Sequence, residues 1–202
     1  WRTRCEGRQT TSTRIRESVM ILFIGVAGAG KSVQGKHLSD LLGFPWISTG
    51  ELLRMHISGE KRQRMLRGEL LTDEELYEIV EPILKELMNE SQIILDGFPR
   101  TLAQAQWLEQ FVEKNGTPIS CIIHLDVPKE IAIERLMKRG RPDDTEEALT
   151  RRFDEYRRVT LPILEYYEKL GIPSPLIDGS GSEDEVRERI TKAVTELGIH
   201  KA

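Results

Sequence analysis

Along the chain, short continuous apolar runs alternate with longer stretches in which apolar residues recur every three or four positions. The first run, Val19-Met20-Ile21-Leu22-Phe23-Ile24, reads as a strand buried on both faces, as parallel sheets require. Lys31 to Leu42 follows with apolar residues at Val33, Leu38, Leu41 and Leu42, a helical spacing. Ser48 or Thr49 can cap a further helix, with Glu51 placed to complete a capping box from Ser48. Thr72 opens a T-x-x-E start signal for a helix through Leu76, Ile79, Val80, Ile83, Leu84 and Leu87. Pro82 inside that pattern marks a kink or a second start. Ile93 to Asp96 is an apolar strand ending in a carboxylate, and Leu102 to Lys114 a helix closed by Asn115-Gly116. Pro118 to Asp126 is the next strand and Pro128 to Lys138 the next helix. Thr145 starts a long helix through Phe153, Tyr156, Val159, Leu164 and Leu170, interrupted at Pro162. Ile172 to Ile177 predicts a short final strand and Asp184 to Leu197 an amphipathic final helix. Strands alternating with helices predict an α/β fold, a parallel sheet covered on both faces.

The loop between the first strand and helix is Gly25-Val26-Ala27-Gly28-Ala29-Gly30-Lys31-Ser32, which fits G-x-x-x-x-G-K-[ST]. Glycine at about 7% of residues makes an accidental match in about 200 positions roughly a one-in-a-hundred event. Gly25, Gly28 and Gly30 permit turns and close approaches that a Cβ would block, so backbone N–H groups can turn inward around a polyphosphate. The following helix adds its unpaired N–H groups and the positive end of its dipole. Lys31 is expected to reach the β/γ-phosphates and Ser32 to offer a hydroxyl to Mg²⁺. This establishes nucleotide binding without naming a reaction.

Asp96 adds to it. A carboxylate at the carboxyl end of a parallel strand beside a phosphate loop can hold Mg²⁺, often through water. Arg100 follows a stiff Phe98-Pro99 turn into the same cleft, and guanidinium groups suit bidentate phosphate contacts. Arg54 taken alone is a solvated helical charge, and the basic run Lys61, Arg62, Arg64 and Arg67 reads mostly as a solvated face. His124, in a strand without a partner cluster, reads as a satisfied, partly buried histidine rather than a ligand.

Composition narrows the setting. With 202 residues, 39% hydrophobic and 31% charged, the chain suits one sizeable globular domain with small insertions. A formal net charge of −4 gives no reason to expect a nucleic-acid partner, and no apolar run approaches the length of a membrane span. Cys5 and Cys121 are far apart and have no metal-type spacing; Cys121 reads as a buried free thiol, which favours a reducing, cytoplasmic location. A monomer is expected, since no exposed apolar stripe stands out. Residues 1–18 carry five arginines with many Ser and Thr and almost no aliphatics, and are expected to form a disordered extension or translated sequence upstream of a start at Met20. Arg- and Ser-rich composition also suits an organelle transit peptide, but the segment lacks an amphipathic face.

Five landmarks occur in order: the glycine loop with Lys31 and Gln34; Ser-Thr-Gly-Glu-Leu-Leu-Arg at 48–54; Leu-Asp-Gly-Phe-Pro-Arg-Thr at 95–101; Lys-Arg-Gly-Arg-Pro-Asp-Asp-Thr at 138–145; and Arg151-Arg152. Together they resemble the adenylate kinases, within the nucleoside monophosphate kinases, over residues 19–198. The resemblance implies a P-loop three-layer α/β sandwich with a central five-stranded parallel sheet. It also implies an NMP-binding insertion near residues 48–77 and a short lid near 139–145. The implied reaction is reversible Mg²⁺-dependent transfer of a phosphoryl group from ATP to AMP.

By that resemblance Gly28, Ala29, Gly30, Lys31, Ser32, Val33 and Arg139 bind ATP, while Thr49, Arg54, Gly97, Arg100, Gln104, Arg141 and Arg152 surround AMP. Lys31, Arg100, Arg139, Arg141 and Arg152 act on the transferring phosphoryl group, and Asp143 and Asp144 hydrogen-bond the lid arginines. Ser32 and Asp96 are the implied Mg²⁺ ligands, and a lid without cysteines implies no zinc. The attacking phosphate oxygen is already anionic, so a cleft of Lys and Arg without a general base suits the chemistry. This chain departs from the family pattern in reading Lys31-Ser32-Val33 where Lys-Gly-Thr is usual, and in a shorter segment between Arg54 and Leu70. A uridylate/cytidylate kinase would more typically carry Ala at position 49 and Asn at 101, where this chain has Thr49 and Thr101. A nucleotide-binding module without transferase activity would leave the arginine set idle.

Overall fold

The computed structural model describes residues 18–67, 69, 71–87, 92–142 and 144–201. Residues 1–17 of the extension expected at 1–18, and the lid residue Asp143, lie outside the described residues. Five parallel strands form one sheet in the order β2-β3-β1-β4-β5. They are β1 (Val19–Gly25), β2 (Trp46–Ser48), β3 (Gln92–Asp96), β4 (Ile119–Asp126) and β5 (Leu176–Asp178). Helices α1 (Lys31–Leu42), α2 (Thr49–His56), α3 (Gly59–Leu66), α4 (Asp73–Leu87), α5 (Leu102–Asn115) and α6 (Lys129–Arg139) connect them, followed by α7 (Glu146–Glu155), α8 (Leu161–Lys169) and α9 (Glu183–Glu196).

The continuous apolar character of β1 follows from its central place. Met20, Leu22 and Ile24 face one core, packed with Leu84 of α4, Leu108 of α5 and Tyr167 of α8. Ile21 and Phe23 face the other, with Leu38 of α1 and Ile190 of α9. Because alternate residues of a strand point to opposite faces, a strand covered on both sides must be apolar throughout. From β1 the chain runs to β2 and β3 on one side and then to β4 on the other. The carboxyl end of β1 is therefore a topological switch point, where ligands enter open α/β sheets.

Several expectations about elements are revised. The strand expected at 172–177 is only Leu176–Asp178, because Pro173 and Pro175 have no N–H to donate; their carbonyls accept from Ile122 N at 2.9 Å and His124 N at 3.1 Å. Pro82 lies inside a single helix, α4. Ser48 occupies the N-cap of α2 but makes no capping bond, since it is a buried residue of β2; Glu51 pairs instead with Lys36 at 3.6 Å. Thr72 and Glu75 do form their reciprocal bonds, at 2.9 and 3.3 Å. Between α7 and α8 the chain does not break at Pro162 but widens into a π-helical turn, Tyr156–Thr160. Helix α3 and strand β2 carried no readable pattern: α3 buries no residue and β2 is three residues long.

Candidate active site

At the end of β1 the backbone is confined on two sides. A Cβ on Gly28 would lie 2.5 Å from the Ala132 carbonyl of α6, and Gly28 has φ of +85°, which L side chains rarely adopt. Gly25 would meet the Leu125 carbonyl at 2.6 Å, so its role is close approach of β1 to β4. Gly30, at φ +96°, turns the chain into α1 with open space beside it. The loop thus presents the amino end of α1 to the cleft. Lys31 folds over the loop and donates to the carbonyls of Gly25 at 2.8 Å and Val26 at 2.9 Å. Burial pushes its ammonium down to about 8, Asp96 opposing the shift and Arg100, Arg139 and Arg152 adding to it.

Strand β3 delivers Asp96, which is 2% exposed and accepts a hydrogen bond from Ser32 Oγ at 2.7 Å. These are two hard oxygen donors side by side, one on α1 and one on β3, and they fit Mg²⁺, which takes few protein ligands and completes its shell with phosphates and water. Among the described residues there is no cluster of three or more metal-ligating side chains. Beyond β3, Arg100 is fastened by its backbone N–H to Gln104 Oε1 at 2.7 Å and by Nε to the Gly97 carbonyl at 2.8 Å. Burial, with Arg152 nearby, holds its guanidinium below the usual arginine range.

The carboxyl end of α6 brings Arg139 into a bidentate pair with Asp144, Nε at 2.9 Å and Nη2 at 2.6 Å. Asp144 also accepts from the Arg141 backbone N–H at 3.2 Å and lies 3.6 Å from Arg152 Nη1. One carboxylate, buried at 8% exposure, therefore gathers the lid turn and α7. Thr145, the next residue, caps α7 by accepting from Ala148 N–H.

A single cavity of about 480 Å³ is lined by the loop residues Gly28 to Val33, by Asp96 and Gly97, and by Arg54, Arg100, Arg139, Arg141 and Arg152. Thr49 and Gln104 do not line it. Both are 1% exposed: Thr49 donates to the Asp96 carbonyl at 3.2 Å, and Gln104 Nε2 donates to Asp73 at 2.7 Å. They brace the walls on the β3 side. His124 is half-buried and bonds Tyr156 Oη at 2.8 Å, as a satisfied core histidine does. Of the basic run, Lys61, Arg64 and Arg67 are not simply solvated; they pair with Glu69 and Glu75.

Sequence reading missed part of the cavity. Arg135 lines it and donates to the carbonyls of Gly179 at 2.7 Å and Gly181 at 2.9 Å. Its position four residues before Arg139 places both on one helix face, which was the available signal. Gln34 Nε2 donates to the Glu183 carbonyl at 2.9 Å, tying to α1 the first residue of α9, where the loop after β5 ends. Nothing in that loop's composition announced it.

The sequence model of the adenylate kinase family matches residues 23–172. The chain belongs to the adenylate kinase family. A curated adenylate kinase of Thermus thermophilus is 40% identical over 189 residues, covering 89% of this chain and 97% of that protein. Those of Xanthomonas euvesicatoria, 36% identical over 184 residues (86% and 98%), and of a Synechococcus species, 37% over 180 residues (86% and 97%), are similar. The five-stranded parallel sheet with helices on both faces is in accord with this family, as the sequence landmarks implied. Among the described residues no helix is long and apolar enough to cross a membrane.

Proposed function

We propose that this cavity performs reversible phosphoryl transfer from ATP to AMP, giving two molecules of ADP. The chain is a nucleoside monophosphate kinase of the adenylate kinase type, and its membership of that family supports the substrate pair. The observation that carries the mechanism is the convergence of Lys31, Arg100, Arg139, Arg141 and Arg152 on one cavity beside the Ser32–Asp96 pair. Five cations around one space neutralise a transferring phosphoryl group, and none needs to accept a proton from an oxygen that is already anionic.

In this reading, the loop from Gly28 to Val33 cradles the ATP phosphates with backbone N–H groups, and Lys31 leaves its two carbonyl partners for the β/γ-phosphates. Ser32 and Asp96 would hold Mg²⁺, which supplies charge neutralisation and orientation when bound. Arg135 and the Gly179–Gly181 turn bound the ATP end. Arg54, Gly97 and Arg100 bound the AMP end, with Arg141 and Arg152 reaching from the lid side. Thr49 and Gln104 shape the base pocket from behind. The segment at 48–77 acts as the NMP flap and that at 139–145, including Asp143, as a short lid. Their closure keeps water from the γ-phosphate. A monomeric, cytoplasmic enzyme without structural zinc belongs to the same reading, and the free, buried Cys121 supports a reducing setting.

The test is phosphoryl transfer from ATP to AMP, CMP, UMP and GMP in separate assays, with Mg²⁺ present and then chelated. Mg²⁺-dependent preference for AMP is expected. Preference for CMP or UMP would overturn the assignment of the base pocket, and ATP binding without transfer would overturn the enzyme assignment. Arg100→Ala should lower turnover by orders of magnitude with the fold intact. Thr49→Ala should relax the preference among monophosphates.

A further inference from the structure

Behind Lys31 lies a second, small cavity of about 80 Å³, walled by Gly97, Arg100, Arg152, Tyr156 and Thr160 among others. Three of these, Arg152, Tyr156 and Thr160, follow one another at four-residue steps along α7 and the π-helical turn. On an uninterrupted α-helix, eight residues carry a side chain about 80° beyond its starting direction. The turn at Tyr156–Thr160 is wider, its closing bond running from Leu161 N–H to the Tyr156 carbonyl, and a wider turn removes much of that drift. Pro162 explains why the widening occurs there: it has no N–H for the Arg158 carbonyl and its ring would crowd that group.

The consequence is a specific contact. Thr160 Oγ1 donates to the backbone carbonyl of Arg100 at 3.0 Å, across 60 residues of sequence. Thr160 is 9% exposed, so water does not readily replace this bond. At its other end the turn is tied to the sheet by Tyr156 Oη and His124 Nε2 at 2.8 Å. Arg100 is thereby fastened at three of its own groups: the N–H by Gln104, the carbonyl by Thr160 and Nε by the Gly97 carbonyl. Arg100 lines both this small cavity and the reaction cavity.

We propose that Thr160 is a positioning residue for Arg100, and that the π-helical turn is the device that brings its hydroxyl to the Arg100 carbonyl. The inference deepens the phosphoryl-transfer reading and rests on it. Thr160 touches no substrate; it fixes the backbone from which the Arg100 guanidinium is aimed. A static brace on Arg100 should act on the chemical step and on the AMP end that Arg100 bounds, rather than on ATP binding.

The experiment compares the full-length native enzyme with Thr160→Val, which keeps the shape and removes the donor, and with Thr160→Ser, which keeps the donor. Steady-state kinetics are read where thermal melts show each variant fully folded. Thr160→Val is expected to lower kcat about five- to tenfold, the size of effect that loss of one buried hydrogen bond produces, with KM for ATP within about twofold. Thr160→Ser is expected to restore most of kcat, and in an Arg100→Ala background Thr160→Val should cause no further loss. Unchanged kcat in Thr160→Val, an equal loss in the Arg100→Ala background, or failure of Ser to rescue would each overturn the proposal. Absence of transfer by the native enzyme would instead overturn the phosphoryl-transfer reading itself.

Discussion

Replacing Asp144 by asparagine keeps the shape of the side chain and removes its charge from a contact shared by four groups. The carboxylate accepts two bonds from Arg139, at 2.9 and 2.6 Å, and one from the Arg141 N–H at 3.2 Å, and it faces Arg152 at 3.6 Å. An asparagine would turn its own N–H₂ toward at least one guanidinium. Removing one partner of a fully buried pair costs about 3–5 kcal/mol. Here the Asp144 side chain is 1% exposed but that of Arg139 is 35% exposed, so water recovers part of the Arg139 interaction. Discounting for that leaves about 2–3 kcal/mol, or roughly 5–10 °C in Tm for a chain of this size. Urea unfolding of the free protein, with the slope m checked for constancy, measures the loss directly. Under conditions where the variant is folded, ADP formation should also fall by about tenfold or more, because Arg139 and Arg152 lose their common anchor. A loss below about 0.5 kcal/mol, the size expected of an exposed pair, would refute the reasoning from burial.

Four further outcomes follow from the site. Burial lowers Lys31 from an ordinary 10.5 to about 8, so its positive charge in the free enzyme is lost as pH rises through about 8; kcat/KM for ATP should decline there, and a flat profile from pH 7 to 9 would count against it. The linked stability effect has the opposite sense: between about 8 and 10.5 the unfolded chain binds more protons, so this group makes the free protein more stable as pH rises. Ser32→Ala removes the hydroxyl 2.7 Å from Asp96 and should raise the Mg²⁺ concentration for half-maximal activity about tenfold, read by Mg²⁺ titration at fixed ATP. Gly28→Ala places a methyl 2.5 Å from a backbone carbonyl at φ +85° and should cost about 2–4 kcal/mol by chemical denaturation; a cost under 1 kcal/mol would mean that α6 yields easily. Glu69→Gln removes the partner that Arg64, Arg67 and Arg151 share, and faster hydrogen exchange in α3 is expected, an effect that high salt should mimic in the native protein.

The chemistry was legible in the residues because phosphate transfer leaves a local signature. A loop with Gly28 and Gly30, a lysine and a hydroxyl must be contiguous to wrap a polyphosphate, and Asp96 must end an apolar strand to sit beside it. Both survive in sequence as short patterns, as do the caps at Thr72 and Thr145 and the glycine after α5. Continuous apolar runs in β1, β3 and β4 likewise determined a parallel sheet covered on both faces, since no other environment accommodates such strands. Tertiary structure alone decided what depends on contacts between distant segments. Ser48 is held opposite Asp96 as the last residue of β2 and lines the cavity, which defeats a cap that looked well formed locally. Gln104 and Thr49 are drawn behind the cavity wall by Asp73, Arg100 and Asp96. Arg135 and Gln34 are held in the cavity wall only because the loop after β5 and the first residue of α9 fold across them. The basic run before Leu71 is paired by Glu69 and Glu75, and Arg151 joins it from 82 residues away. Neighbours in sequence set local conformation; the partner of a buried polar group is chosen by which strand ends and helix faces the sheet order brings together.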